Sequence, residues 1–298
     1  MKKQSEMNGT NFLNAQKNSQ FKDMVRRLFK NKAAVAGLFF LIFLILMAIF
    51  ADALFDYNTQ CINQNIPERL QWPSAQHWFG TDEYGRDLLI RIVFGSRISL
   101  SIGFIAVLFG LIVGGVLGAV AGFFGGKIDN IIMRLCDVFL AVPMMLMAIV
   151  IVAALGASIV NLVIALSISS VPTFARIVRS AVLTVRDMDY VEAARAIGVK
   201  TPRILARYIL PNCMGPIIVQ ATMSVSNSII AAASLSFIGL GVNAPMPSLG
   251  SLANSARQGL QTYPYKLIFP ALMICLIVLS LNLLGDGLRD AFDPKLKR

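Results

Sequence analysis

Long apolar runs, separated by short polar and basic stretches, dominate the hydrophobicity pattern of this chain. The first run, residues 33–54, is long enough to cross a bilayer, because about 20 apolar residues in a helix span the hydrocarbon core. Further runs at about 99–124, 137–155, 159–175, 214–238 and 267–284 predict five more membrane helices. The pattern therefore predicts an all-α polytopic membrane protein with six transmembrane helices.

The runs also predict how the chain is divided. The chain starts with an N-terminal segment, 1–32, followed by the first transmembrane helix, 33–54, and a polar segment, 55–98. A five-helix core then covers 99–285 and contains a polar loop at 187–212. The last part is a tail, 286–298. Residues 21–32 mix basic and apolar side chains in a way that predicts a short amphipathic helix on the membrane surface.

The basic residues predict the orientation of this arrangement. With six spans, 21 of the 27 lysines and arginines lie on the side of the two termini and the loop 187–212, whereas 6 lie on the other side. Cytoplasmic loops carry an excess of Lys and Arg. We therefore expect both termini and this loop to be cytoplasmic, and residues 55–98 to be extracytoplasmic.

Composition narrows the classes of function. The chain has 298 residues, of which 56% are hydrophobic and 14% are charged, against about 25% charged in soluble domains. The net charge of +11 comes from basic residues beside the apolar runs, and no nucleic-acid-binding motif accompanies it. The four cysteines form no CxxC pair and His77 is the only histidine, so neither a zinc site nor a disulfide framework is indicated. We expect no cofactor.

The loop 187–212 carries the signals of a helix, a sharp turn and a second short helix. Asp189 is placed to cap the first helix, and Glu192 follows three residues later, as in a capping box. Gly198 then provides a residue that adopts positive φ cheaply. Thr201 and Pro202 are typical of the cap and first residue of the second helix, which Pro211 would end.

The spacing within this loop carries a family resemblance. Glu192-Ala193-Ala194, three residues, Gly198, nine residues and Tyr208-Ile209-Leu210-Pro211 resemble the EAA loop of ABC importer permeases, although Tyr208 replaces the usual aliphatic residue. The resemblance implies that the first helix is a cytoplasmic coupling helix that fits a cleft on an ATPase subunit. It assigns this contact to Glu192, Ala193, Ala194, Gly198, Leu210 and Pro211.

The outer segment carries a second motif. Residues 77–87 match the pattern H-x-F-G-T-D-x-x-G-R-D, which resembles a signature of the dipeptide, oligopeptide and nickel branch of these permeases, in their C-type subunit. Local chemistry predicts that Asp82 caps a helix starting near Glu83 and that Asp87 pairs with Arg91. The signature residues are Gly80, Thr81, Asp82, Gly85, Arg86 and Asp87.

The second apolar run contains a glycine at every fourth position. Small residues at this spacing allow two membrane helices to approach closely. The stripe therefore predicts a tight helix seam, either static or able to slide. It consists of Gly110, Gly114, Gly118 and Gly122, and the same spacing continues to Gly126.

The resemblance implies a permease subunit of a type I ABC importer for di- or oligopeptides, with import of nickel or a metal chelate as an alternative. It also implies a second permease subunit in a heterodimer, two ATPase subunits or domains, and an extracytoplasmic substrate-binding protein. This chain is expected to be no enzyme. Gly126-Lys127 resembles the end of a P-loop, but Ala121 and Ile128 break that motif.

Two other classes remain open from the residues alone. A secondary transporter driven by an ion gradient usually has ionisable residues at mid-membrane depth. Here the predicted span interiors contain none, and their notable polar residues are Asn161, Asn227 and Asn282, which are better suited to bonding neighbouring helices. A membrane scaffold without transport activity is also compatible with the composition.

Overall fold

The computed structural model describes residues 25–292, and within that range it is almost entirely helical, with no β-strand. Most of the predicted N-terminal segment and the end of the tail lie outside the described residues. Of the predicted amphipathic helix, residues 25–32 are described; residues 25–30 are helical, and Asn31 caps the first long helix, which starts at Lys32. Leu28 in this stretch packs against Ala34 and Ala291, which ties it to the first and last long helices.

Within the described residues, five helices are long and apolar enough to cross a membrane, and a bent pair provides a sixth crossing if it is counted as one span. This agrees with the predicted polytopic all-α fold. After a short helix at Ala51–Leu54 is set aside, the α-helices are labelled α1 (Lys32–Ile49), α2 (Leu88–Phe124), α3 (Gly126–Leu140), α4 (Met144–Leu155), α5 (Ile159–Val185), α6 (Asp189–Ala196), α7 (Thr201–Ile204), α8 (Met214–Phe237), α9 (Leu249–Ser255) and α10 (Tyr265–Phe292).

Helix α2 begins earlier than the apolar run predicts, at Leu88 rather than near residue 99. Asp87 caps it, because its Oδ1 accepts hydrogen bonds from the backbone N–H groups of Leu89 at 2.8 Å and Ile90 at 3.2 Å. The predicted cap, Asp82, was therefore wrong. The first turns of α2 contain Arg91, Ser96 and Arg97 among apolar residues, and because Arg91 and Ser96 are buried in the folded protein, the helix begins before the uninterrupted apolar run.

The predicted single span at 137–155 is broken. Helix α3 ends at Leu140, α4 starts at Met144, and their axes differ by 82°. Pro143 explains the break, because it has no N–H to donate and disfavours helical geometry in the residue before it.

Helix α5 is longer than predicted. It continues through Pro172 to Val185 instead of ending near residue 175. A proline is tolerated inside a membrane helix when neighbouring groups satisfy the backbone that it frees. Helix α10 also extends beyond the predicted 267–284, whereas α8 differs from the prediction by one residue.

Helix α2 lies at the centre of the bundle. It packs against α5 over most of its length, and α8, α4 and α10 surround this pair. One core cluster joins α2, α4, α5 and α8 through residues that include Ala106, Val152, Leu166 and Leu235. Helix α1 lies outside this core against α10, where Gly37 contacts Ser280 and Leu283.

Candidate functional site

The loop 187–212 is packed onto the ends of the helices that it joins. Val191 and Ala194, on one face of α6, are buried in a cluster with Val178 and Val182 of α5. Ile204 lies in the same cluster, together with Ile209, Cys213 and Ile217 at the start of the following span. The loop therefore packs on the inner ends of α5 and α8 through one shared hydrophobic cluster.

The N-cap of each of the two short helices lies one residue earlier than predicted. Met188, in extended conformation, is the N-cap of α6 and makes no side-chain capping bond, so Asp189 and Glu192 both lie in the first turn without forming a capping box. The second helix starts at Thr201, with Lys200 as its cap. Acidic residues in a first turn still stabilise the positive end of the helix dipole.

Gly198 has φ +75°, which confirms the predicted need for positive φ at this turn. A side-chain carbon added there would meet no atom within 4 Å, so the requirement at this position is conformational. Pro211 lies in a one-turn 3₁₀ helix, Leu210–Asn212, and does not stop the chain from continuing into α8 after Cys213. Leu210 is half-buried beside it.

The outward face of α6 combines charged and apolar side chains. Glu192 and Ala193 are exposed, and so is Ile197, at 78%. Met188 and Tyr190 are also exposed, at 50% and 42%. Large apolar side chains projecting from an otherwise polar loop are typical of a protein contact surface.

Basic side chains connect the loop with the inner ends of the spans. The Arg195 guanidinium lies 5.1 Å from the centre of the Phe123 ring at the end of α2. Arg186 donates to the Gly122 carbonyl at 2.9 Å, and Arg179 donates to Asp129 of α3, with Nη2 to Oδ2 at 2.6 Å. These contacts tie α2, α3, α5 and α6 together on one side of the bundle.

The outer signature folds around a buried carboxylate. Asp82 Oδ2 accepts from Arg86 Nε at 2.8 Å and from Arg91 Nη1 at 2.6 Å, and all three side chains are at most 7% exposed. Asp82 Oδ1 accepts from the backbone of Tyr84 and Arg86. Arg91 therefore pairs with Asp82 rather than with the predicted Asp87, because the segment folds back over the start of α2.

The other signature residues hold this fold in place. Gly80 and Gly85 have φ of +77° and +74°, and a Cβ at either would collide with the backbone carbonyl of Gln71 or Asn65. Thr81 is fully buried. The Thr81 hydroxyl donates to the Glu68 carbonyl, and the Tyr265 hydroxyl donates to the Thr81 carbonyl. His77 Nδ1 lies 2.8 Å from Asp87 Oδ2, and Lys266 Nζ lies 2.6 Å from Glu83 Oε2.

The glycine stripe of α2 faces α5. A Cβ at Gly114 or Gly118 would overlap the carbonyl oxygen of Val171 or Ala175, and a Cβ at Gly122 would lie 2.9 Å from the Arg179 carbonyl. Gly110 similarly faces Ser170 and Ser167. Gly126 does not belong to the seam, because it starts α3 and has no neighbour within 4 Å of an added Cβ.

A cleft with polar side chains on one wall and apolar side chains on the other was not predicted in the membrane part of the protein. It has a volume of about 190 Å³ and lies between the α3–α4 bend and one face each of α5 and α8. The periodicity of Gln220, Ser224, Asn227 and Ser228 is the signal that could have indicated it. Its polar lining consists of these four residues with Ser169, Ser170 and Thr173.

The other two asparagines that were predicted to bond neighbouring helices, Asn161 and Asn282, have different surroundings in the structure. Asn161 donates to the carbonyls of Leu155 and Gly156, so it closes the turn between α4 and α5. Asn282 is exposed on α10, away from the cleft.

Comparisons with known proteins agree with the sequence resemblance. A family model described as "Binding-protein-dependent transport system inner membrane component" matches residues 114–298. A second, described as "N-terminal TM domain of oligopeptide transport permease C", matches residues 19–73.

Relatives match over nearly the full chain. The chain is 48% identical over 279 residues to the dipeptide transport system permease protein DppC of Alkalihalophilus pseudofirmus, covering 94% of this chain and 91% of that protein. It is 42% identical over 283 residues to the oligopeptide transport system permease protein OppC of Bacillus subtilis, with 94% and 91% covered. It is also 45% identical over 278 residues to the glutathione transport system permease protein GsiD of Pectobacterium atrosepticum, with 93% and 92% covered.

A solved structure shares the fold. A chain of the MetNI methionine ABC transporter, in an inward-facing conformation, superposes with a TM-score of 0.57 at 18% identity. The match covers 69% of this chain and 97% of that one.

Proposed function

Because the chain belongs to the family of binding-protein-dependent transport system inner membrane components, we propose that it is a permease subunit of an ATP-driven importer of di- or oligopeptides. The peptide substrate is supported by relatives named for dipeptide and oligopeptide transport. The proposed assembly contains a second permease subunit, two ATPase subunits or domains and an extracytoplasmic binding protein. This chain supplies a membrane path, and its partners hydrolyse ATP.

One observation carries the mechanism: α6 is buried on one side and exposed on the other. Val191 and Ala194 anchor it to α5, while Glu192, Ala193 and Ile197 face outward. We assign the exposed face to contact with an ATPase. Closure of the ATPases on ATP would then displace α6, and because α6 is packed on the spans, the displacement would tilt α5 and α8. ATP drives the change only to the extent that it binds one state more tightly than the other.

The cytoplasmic placement of the termini and of α6 can be tested by labelling. In a chain that keeps Cys61 and has Cys136, Cys213 and Cys275 replaced by serine, we expect a membrane-impermeant maleimide to react with Lys200→Cys in inside-out vesicles and not in intact cells. Reaction from outside intact cells would contradict the orientation.

Cys61 provides an internal check on that experiment. It lies in the outer segment but is fully buried, and desolvation raises the pKa of its thiol to about 11. The reactive thiolate is then roughly a thousandth of the population at pH 8. We therefore expect Cys61 to stay unlabelled in folded protein at pH 8 and to react once the protein is denatured.

The transport activity itself is tested with the complete complex in proteoliposomes. We expect accumulation of dialanine only when ATP and the binding protein are both supplied, with no effect of a protonophore or a sodium ionophore. Accumulation that requires an ion gradient and proceeds without ATP would instead support the secondary-transporter alternative. Import of nickel without import of any peptide would support the metal branch of the family.

A further inference from the structure

We infer that the polar cleft between the α3–α4 bend and helices α5 and α8 is a transmembrane contact site for the main-chain amide groups of the transported peptide. The inference rests on the proposed import function and adds to it the residues that the substrate meets within the membrane. Three features of the cleft support it: its depth, its chemistry and the broken helix at its wall.

The polar residues of the cleft lie near the middle of their helices. Ser170 is eleven residues after the first residue of α5, and Ser224 is ten residues after the first residue of α8. At 1.5 Å per residue these positions are about 15–17 Å from the helix starts, which is about half the thickness of the hydrocarbon core. Polar groups at this depth are costly unless they face protein or a water-filled path.

The chemistry of the lining suits an amide group. The cleft has hydroxyl and carboxamide side chains on one wall, and its lining within residues 25–292 includes no Asp, Glu, Lys, Arg or His. Ser169 donates its own hydroxyl proton to the carbonyl of Ala165, which leaves its oxygen atom available as an acceptor. Asn227 is exposed, and its carboxamide can both donate and accept.

The opposite wall contributes backbone. Helices α3 and α4 are interrupted at residues 141–143, and Leu140, Val142 and Pro143 line the cleft. The last carbonyls of a helix have no partner within it. Non-helical backbone at membrane depth occurs where it is buried in protein or lines a cavity, and transporter binding sites are often built from such interrupted helices. The break therefore offers further hydrogen-bond acceptors at the same place.

This combination of polar side chains and backbone carbonyls indicates how the cleft would select its substrate. A site with hydroxyls, carboxamides and carbonyls, but with no charge, can bond the N–H and C=O groups that every peptide carries. It has no group that would favour a basic or an acidic side chain. A peptide would therefore be held through its main chain, while apolar residues such as Met144 and Met147 accommodate different side chains.

The test compares two asparagines in the complete complex. Asn227→Leu removes the carboxamide from the cleft, whereas Asn282→Leu makes the same change at an exposed position on α10 outside it. Proteoliposomes are assayed with dialanine, Lys-Ala and Glu-Ala for uptake per ATP hydrolysed. We expect Asn227→Leu to lower uptake of all three by about fivefold, the loss expected for one hydrogen bond. Asn227→Gln should restore most of it, and Asn282→Leu should match the wild type.

The outcomes separate the two levels of the hypothesis. If the wild-type complex imports none of the three peptides, the proposed function fails. If the wild type imports them and Asn227→Leu does so equally well, the cleft is not a substrate contact. A loss confined to one dipeptide would overturn main-chain recognition. Should Asn227→Leu not assemble with its partners, Thr173→Val, which keeps the side-chain shape, replaces it; wild-type uptake by that variant would overturn the inference.

Discussion

Replacing Gly118 with leucine is expected to prevent α2 and α5 from packing. A Cβ at this position would overlap the Ala175 carbonyl oxygen and lie 3.0 Å from the Arg179 backbone nitrogen. Both are backbone atoms of a long helix, so no side-chain rotation can relieve the overlap, and the helices must separate. We expect the free energy of unfolding in mixed micelles to fall by about 3 kcal/mol, with a matching loss of purified complex.

Gly115 provides the matched control for this substitution. It lies three residues before Gly118 on the same helix, but a Cβ added there meets no described atom within 4 Å. We expect Gly115→Leu to unfold like the wild type. If Gly118→Leu is as stable and as active as Gly115→Leu, the glycine stripe is not a required seam.

Replacing Asp82 with asparagine is expected to have an effect of similar size on the outer side. The substitution keeps the shape of the side chain but leaves Arg86 and Arg91 buried without their carboxylate. Removing one partner of a buried ion pair costs about 3–5 kcal/mol, because the remaining charge stays desolvated. We therefore expect the same unfolding measurement to show a loss of about 3 kcal/mol.

An exposed aspartate on the same side serves as the control. Asp52 pairs with Arg97 at 2.6 Å, but the two side chains are 59% and 45% exposed. Exposed pairs contribute at most about 1 kcal/mol because water screens them, so Asp52→Asn should change stability little. If Asp82→Asn and Asp52→Asn lost the same free energy of unfolding, burial would not explain the contribution of the Asp82 ion pairs to stability.

The sequence predicted features that depend on local chemistry. Apolar run length gave the membrane helices, and the turn at Gly198 followed from the ability of glycine to adopt positive φ. The spacing of the glycines indicated a seam, although it could not tell that the facing helix would be α5. Each of these signals lies within a few turns of one helix.

Features set by tertiary packing were predicted poorly. Asp82 and Asp87 are both suitable caps, and only the fold of the outer segment decides that Asp87 caps α2 while Asp82 is buried between two arginines. The 82° bend at Pro143 was hidden inside an apolar run of ordinary length. The cleft was not predicted because serine and asparagine are common in membrane spans. These residues form a cleft only because α5 and α8 converge.

Packed helices connect the loop 187–212 with the cleft. Helix α6 is anchored on α5, and α5 is held to α3 by Arg179–Asp129 and by Arg176–Asp137. Helix α3 leads to the bend that lines the cleft. A displacement of α6 would therefore reach the cleft through packed helices and ion pairs, without a flexible segment between them.

The contact between α6 and the ATPases is tested most directly by co-purification of ATPase subunits with two glycine variants. Gly198 in the loop and Gly156 in the turn between α4 and α5 both have positive φ, +75° and +90°, and both have open space around an added Cβ. Gly156 also has ψ +156°, a combination that glycine alone adopts readily, so an aspartate there is at least as strained as one at Gly198, and Gly156→Asp is the more severe control. We predict that Gly156→Asp retains the ATPases and peptide uptake, whereas Gly198→Asp inserts in the membrane but loses both. Normal ATPase association and normal uptake in Gly198→Asp would contradict the assignment of this loop as the coupling element.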